Sequence, residues 1–270
     1  MSAPALRLLG DLWIGDSCLA QGLEITAPAG RWTCLLGPSG VGKSTLGRLV
    51  AGLPGRVRLE GDATTVRGRV AILAQQDQLL PWASSLQNVT LGARLRGAPA
   101  DHLRARDLLD RVGLAGLHHR RSATLSGGQR QRVALARTLI EDCPVVVLDE
   151  PFSALDAGTR IAMQDLAARL LAGRTVLLIT HDPLEAARLG NAAFLMTAQG
   201  SHPVDLPEAP TPREIYDPAV MAAQAAIFSA LSQLGGRISE PQAAAARPCP
   251  GTVSGSTGRR LTGITDGRPS

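Results

Sequence analysis

The sequence predicts an α/β fold, a mainly parallel sheet covered by helices on both faces. Three observations carry that reading. Short, largely apolar runs at residues 31–36, 69–74, 145–148 and 175–179 alternate with helix-length segments, and strands without an apolar/polar alternation belong to sheets buried on both sides. A glycine-rich loop lies between the first run and a helix. The third run ends in two adjacent acids, Asp149 and Glu150, and a parallel sheet gathers its ligands at the carboxyl ends of its strands.

From the amino end, residues 6–80 alternate apolar strands with glycine-rich turns. After the strand at 31–36, residues 43–53 have the apolar spacing of a helix whose N-terminus faces the loop. From 81 to 124 the pattern turns helical: Ala105, Leu108, Leu109 and Val112 fall on one face, while Arg104, Arg106, Asp107, Asp110 and Arg111 take the other. A further helix is expected over 128–140, and Met163, Leu166, Ala167 and Leu170 mark the helical face that follows the acid-tipped strand. The organisation expected is a domain over 1–205, with a helical subdomain inserted at about 81–125, and a tail over 206–270. Past residue 198 the regularity decays into Pro, Gly, Ala, Ser and Thr; one short helix is expected at 219–234 and disorder in the remainder of the tail.

Composition removes several classes of protein. With 270 residues, 44% hydrophobic and 19% charged, the chain buries a substantial core. Its apolar runs are far shorter than the roughly 20 residues of a membrane span, and no charged, then apolar, leader opens it. Cys18, Cys34, Cys143 and Cys249 are scattered and have no metal-ligand spacing, which favours reduced core thiols in a cytosolic compartment. The net charge of +5 is spread along the chain and aromatics are only 3%, so no nucleic-acid partner is expected.

Chemistry begins at Lys43, the single lysine among 28 Lys+Arg residues. It lies in Gly37-Pro38-Ser39-Gly40-Val41-Gly42-Lys43-Ser44-Thr45, which fits G-x-x-x-x-G-K-[ST]. Glycines let successive N–H groups point into one hollow, Lys43 brings a compact charge to the β and γ phosphates, and Ser44 offers a hydroxyl to Mg²⁺. A nucleoside triphosphate is the expected ligand. Asp149 then holds Mg²⁺ and Glu150 polarises an attacking water. Leu125-Ser126-Gly127-Gly128-Gln129 reads as a serine-capped, glycine-rich helix start, a second site for an anion.

These motifs, in this order over about residues 6–200, closely resemble those of ATP-binding cassette (ABC) proteins. The resemblance implies a phosphate-loop NTPase of ABC type, with an antiparallel N-terminal β subdomain and an inserted α-helical subdomain. It implies that Leu125, Ser126, Gly127, Gly128 and Gln129 bind the nucleotide held by a second copy in a head-to-tail dimer. Gln75 matches the glutamine that reaches Mg²⁺ and the attacking water, Asp156 the loop that crosses the dimer interface, and His181 the histidine that contacts the γ phosphate. Glu150, His181 and Lys43 are then the catalytic set. Trp13 lies about where the family stacks an aromatic on adenine, and a core tryptophan is the alternative. Ala74 replaces a usually bulky residue, and Gln76 and Gln78 leave the glutamine assignment open by a residue or so.

Leu79-Leu80-Pro81-Trp82 followed by Asn88-Val89 resembles the ATP-binding subunits of nitrate, sulfonate, taurine and pyrimidine-precursor importers. That likeness implies ATP and Mg²⁺ as ligands and an integral membrane permease as partner. It also implies an extracytoplasmic solute-binding protein as indirect partner, and a peripheral place at the cytoplasmic face of the inner membrane. The alternative is a soluble, non-transport ABC ATPase. Such a protein would normally carry a second cassette or a long coiled-coil insertion, neither of which the sequence shows.

Overall fold

A computed structural model describes residues 3–53, 55–63 and 69–236. Along the chain come β1 (Leu6–Ile14), β2 (Ser17–Ala27), β3 (Trp32–Leu36), α1 (Lys43–Val50), β4 (Val57–Ala63), β5 (Val70–Leu73), α2 (Ser85–Val89), α3 (Leu91–Leu95) and α4 (His102–Arg111). They are followed by α5 (Gly127–Ile140), β6 (Val145–Asp149), α6 (Ala157–Leu170), β7 (Thr175–Ile179), α7 (Pro183–Leu189), β8 (Ala192–Thr197), β9 (Gly200–Val204) and α8 (Pro218–Gly236).

The central sheet runs β5-β6-β7-β3-β8-β9; every neighbouring pair is parallel except β8 and β9. Every residue of β3, β6 and β7 is buried, as the apolar runs require. Side chains alternate between two cores. Cys34, Leu36, Val146, Leu148, Val176 and Leu178 face a core shared with α4, α5, α6 and α7. Leu35, Val145, Val147, Leu177 and Ile179 face a second core with α1 and the N-terminal strands. Those strands form a separate antiparallel sheet in the order β2-β1-β4.

The segment between β5 and α5 is helical, and α2 and α4 pack on α5. Ala105, Leu108, Leu109 and Val112 are buried there, the face their spacing picks out. Ser84 caps α2 with a reciprocal pair of hydrogen bonds to Gln87. Asn88 stitches the segment together, its amide donating to the Leu80, Ala83 and Ser84 carbonyls and to Ser122 Oγ.

Residues 199–236 are more ordered than their composition suggests. β9 pairs antiparallel with β8, and residues 205–217 have no regular structure but are tied to α7 by Arg213. The guanidinium of Arg213, 4% exposed, donates to the carbonyls of Ala187, Gly190, Ala209 and Pro207. Ala187 and the C-cap Gly190 thus gain partners for carbonyls at the end of α7, where the helix itself leaves carbonyls free. α8 is longer than the helix expected at 219–234 and buries Val220 and Ile227. The disorder expected for the rest of the tail, and Cys249, lie outside the described residues. Cys18, Cys34 and Cys143 are free thiols, and burial raises the Cys34 thiol far above its ordinary range.

Candidate active site

Strand register brings the sequence-separated motifs together. Leu35 pairs with Ile179, Leu148 with Leu178 and Leu73 with Leu148, so β3, β5, β6 and β7 end at one edge of the sheet. The loops leaving that edge carry Gly37 to Lys43, Gln75, Glu150 and His181 in turn.

The glycine loop needs its glycines. Gly37 has φ 148°, and a Cβ there would lie 2.2 Å from the Met196 carbonyl oxygen. Gly42, at φ 103°, is the N-cap of α1, a left-handed conformation that side chains disfavour. Lys43 Nζ folds back onto its own loop, donating to the Gly37 and Pro38 carbonyls at 2.8 Å each. Burial lowers the pKa of this ammonium, while Glu150 and Asp149 oppose the shift.

Ser44 Oγ donates to Asp149 Oδ1 at 2.8 Å. Burial raises the Asp149 carboxyl, the Ser44 hydrogen bond opposes this, and the neighbouring Glu150 charge adds to it. Glu150 is held at φ 46°, a strained conformation for a residue with a side chain and one that clusters at active sites. Its backbone N–H donates to the Ile179 carbonyl at 2.9 Å. Its Oε2 accepts from Gln75 Nε2 at 3.0 Å and lies 3.3 Å from His181 Nδ1. Of the neighbouring glutamines, Gln75 therefore makes the contact. Gln78 instead turns with φ 48°, and its carbonyl accepts from Arg137 Nη1.

Ser126 caps α5: its hydroxyl accepts from the Gln129 N–H, and Gln129 Oε1 accepts from the Ser126 N–H. No acid stands in the first turn, so the positive end of the helix dipole is left uncompensated. Ser126, Gly127, Gly128 and Gln129 line an open hollow of about 650 Å³ together with Asp156 and Arg132. No residue of the phosphate loop lines that hollow. Asp156 caps α6 through the Thr159 N–H, a bond that holds its carboxyl below the usual range.

Trp13 sits on β1 opposite Arg58. The guanidinium lies 4.9 Å from the ring centroid, within cation–π range, so one ring face is already covered by the protein.

Several residues that the sequence reading passed over shape the site. Arg130 Nε pairs with Asp77 at 2.9 Å, and Arg137 Nη2 donates to the Asp77 carbonyl at 2.6 Å. Together they tie the segment after Gln75 to the helix that begins at Ser126. Asp182-Pro183-Leu184-Glu185 reads as a capping box, yet Glu185 does not reach back to the cap. Its Oε2 accepts from Thr180 Oγ at 2.6 Å, and Thr180 Oγ accepts from the Asp182 N–H. An acid at the third position of a helix is the only sequence signal that marks Glu185, and it points to the wrong partner.

A loop of backbone N–H groups with a buried lysine, a hydroxyl–carboxylate pair, and a glutamate at the end of a buried strand define a phosphate-loop nucleoside triphosphatase. Residues 20–153 match the ABC transporter family. An ABC transporter ATP-binding protein of Haemophilus influenzae is 43% identical over 226 residues, covering 81% of this chain and 93% of that protein. The aliphatic sulfonates import ATP-binding protein SsuB 1 of Rhodococcus jostii is 46% identical over 208 residues, covering 73% and 83%. The dimeric structure of MJ0796, a bacterial ABC transporter cassette, aligns with a TM-score of 0.63 at 25% identity, covering 74% of this chain and 98% of that one. The chain belongs to the ABC transporter ATP-binding family. It is an ATP-binding, ATP-hydrolysing subunit whose activity is coupled to transport.

Proposed function

We propose that this chain powers a bacterial importer, two copies closing head to tail around two ATP molecules beneath a separate membrane permease. The observation that carries this reading is the separation of the two anion-binding elements. No phosphate-loop residue lines the hollow at the Ser126 helix start, so in this reading a nucleotide gripped by both elements needs a second copy. Support for import comes from the sulfonate-import relatives in Rhodococcus jostii and Streptomyces avermitilis, the latter 40% identical over 86% of this chain. An oxidised sulfur compound is thus the class of solute to try first. Among the described residues no helix is long and apolar enough to cross a membrane. In this proposal the permease and its solute-binding protein are separate chains. The place proposed is the cytoplasmic face of the inner membrane.

In this reading the loop N–H groups and Lys43 hold the β and γ phosphates, and Lys43 exchanges its two carbonyl partners for phosphate oxygens. Glu150 accepts a proton from the attacking water as the new oxygen–phosphorus bond forms and the bond to the ADP oxygen breaks. His181 donates to a γ-phosphate oxygen, Gln75 orients the water, and Asp156 meets the partner across the interface. Ser44, Asp149 and Gln75 supply oxygen ligands, a donor set that fits Mg²⁺, and the cation would neutralise charge on the β and γ oxygens. Trp13 is the aromatic proposed to stack on adenine.

Glu150→Gln tests the site directly. The variant should bind ATP as the wild type does, lose hydrolysis, and accumulate an ATP-bound dimer in sedimentation. Hydrolysis at the wild-type rate would overturn the role given to Glu150.

A further inference from the structure

His181 is 61% exposed, yet the residues on either side of it are fixed. Thr180 is buried, its N–H donating to the Leu35 carbonyl and its hydroxyl to Glu185. Asp182 is the N-cap of α7 and accepts from the Leu184 N–H. The histidine thus hangs from a loop whose two ends are clamped, and the clamps lead to α6.

α6 is capped by Asp156 and faces α7 through a ladder of side chains. Arg160 Nη2 donates to the Leu155 carbonyl at 2.9 Å, while Nη1 of the same guanidinium lies 3.4 Å from Asp182 Oδ2. One turn on, Gln164 Nε2 donates to Glu185 Oε1 at 3.4 Å, and Gln164 Oε1 accepts from Arg188 Nη1 at 2.8 Å. Arg188 also pairs with Asp165. Residues four apart on a helix share a face, so Arg160 and Gln164 bracket the start of α7. Glu185 is 3% exposed and Gln164 1%. A cavity of about 30 Å³ is lined both by the catalytic groups Glu150 and His181 and by Arg160, Thr180 and Glu185.

Arg160 therefore touches both the backbone that carries Asp156 and the cap of the helix that follows His181. We propose that Arg160 and Glu185 are positioning residues: they link the Ser153–Asp156 loop to the His181 loop, so that dimer contact at Asp156 sets the histidine. Neither touches the reacting atoms. The inference rests on His181 serving the γ phosphate, as proposed above. Its physical basis is that the buried rungs Thr180–Glu185, Glu185–Gln164 and Gln164–Arg188 shift together, because breaking one leaves a buried polar group without a partner. The part-buried Arg160–Asp182 contact joins them to the Leu155 backbone.

The test is ATP hydrolysis by the full chain carrying Arg160→Ala, Arg160→Lys, Glu185→Ala or Glu185→Gln. Arg160→Ala and Glu185→Ala should lower kcat about tenfold, with KM for ATP within about twofold. Glu185→Gln keeps an oxygen for the Thr180 hydroxyl and should recover most of the rate. Arg160→Lys keeps the charge but cannot bridge both partners, so it should not recover; it also serves if the alanine variant does not fold. In single turnovers, adding Arg160→Ala to His181→Ala should cost no further rate, because residues acting through one group are not additive. An undiminished kcat, or a full further loss in the double variant, would overturn the inference. Glu150→Gln run alongside separates the two readings. If it hydrolyses ATP normally, the site assignment fails; if it is inactive while Arg160→Ala is unimpaired, only the link fails.

Discussion

The two halves of the nucleotide site are built on opposite electrostatic plans. At the phosphate-loop half, ionisable groups are buried and pushed toward neutrality. Burial lowers the Lys43 ammonium and raises the Asp149 carboxyl, and it raises Glu185 to about 7. At the Ser126 half, the anion-binding groups are backbone N–H groups at an exposed helix start, and Asp156 is held ionised by the Thr159 hydrogen bond. The first half holds preset charge at a cost in stability; the second holds a dipole that costs little until a partner arrives. In the proposed head-to-tail dimer the second half acts across the interface, so chemistry waits on assembly.

Removing preset charge should give the largest effect. An ammonium about 4 Å from a phosphate charge at a partly screened surface contributes about 4 kcal/mol. Lys43→Ala should therefore weaken ATP binding about a thousandfold by titration calorimetry, and raising the protein concentration should not restore it. Wild-type affinity in this variant would erase the distinction between the halves.

The cost in stability is open to measurement at Glu185. Its carboxyl rises from an ordinary 4.5 to about 7, mainly through burial, with Asp182 adding and the Thr180 hydrogen bond, Arg160 and His181 opposing. The folded state holds this proton more tightly than the unfolded state does. The contribution to stability is therefore full below the unfolded value and is lost as pH rises through the folded one. That displacement is worth about 3 kcal/mol. Glu185→Gln cannot ionise, so its stability relative to wild type in urea unfolding should climb by about that amount between acid and mildly alkaline pH. Parallel profiles would show that the carboxyl is not held neutral.

The same contrast decides what the sequence reveals. Lys43, Asp149, Glu150 and Ser126 sit in contiguous motifs because one loop or one strand end must present them together, so spacing alone exposes them. The buried strands are legible for a related reason: Val145 to Leu148 lie between two cores and admit no polar residue. Arg160, Gln164 and Glu185 are opaque because their meaning lies in contacts between α6 and α7, and Glu185 mimics a local cap it does not make. Arg213 hides in the same way: a proline-rich stretch reads as tail, while a single guanidinium holds it to the end of α7.

The smallest predicted effect lies on the dipole half, and it sharpens the comparison most. Ser126→Ala removes the hydroxyl that accepts from the Gln129 N–H, a cap worth about 1 kcal/mol of helix stability. Nothing buried loses a charge, so a single copy should bind ATP with affinity within about twofold of wild type. Hydrolysis should fall at low protein concentration and recover as concentration rises, because the weakened group acts only on a nucleotide held by the other copy. Lys43→Ala should show the reverse pattern, with lost binding and no recovery. If Ser126→Ala instead weakened ATP binding in dilute solution, both anion-binding elements would have to serve one nucleotide in one copy, and the head-to-tail arrangement would fall.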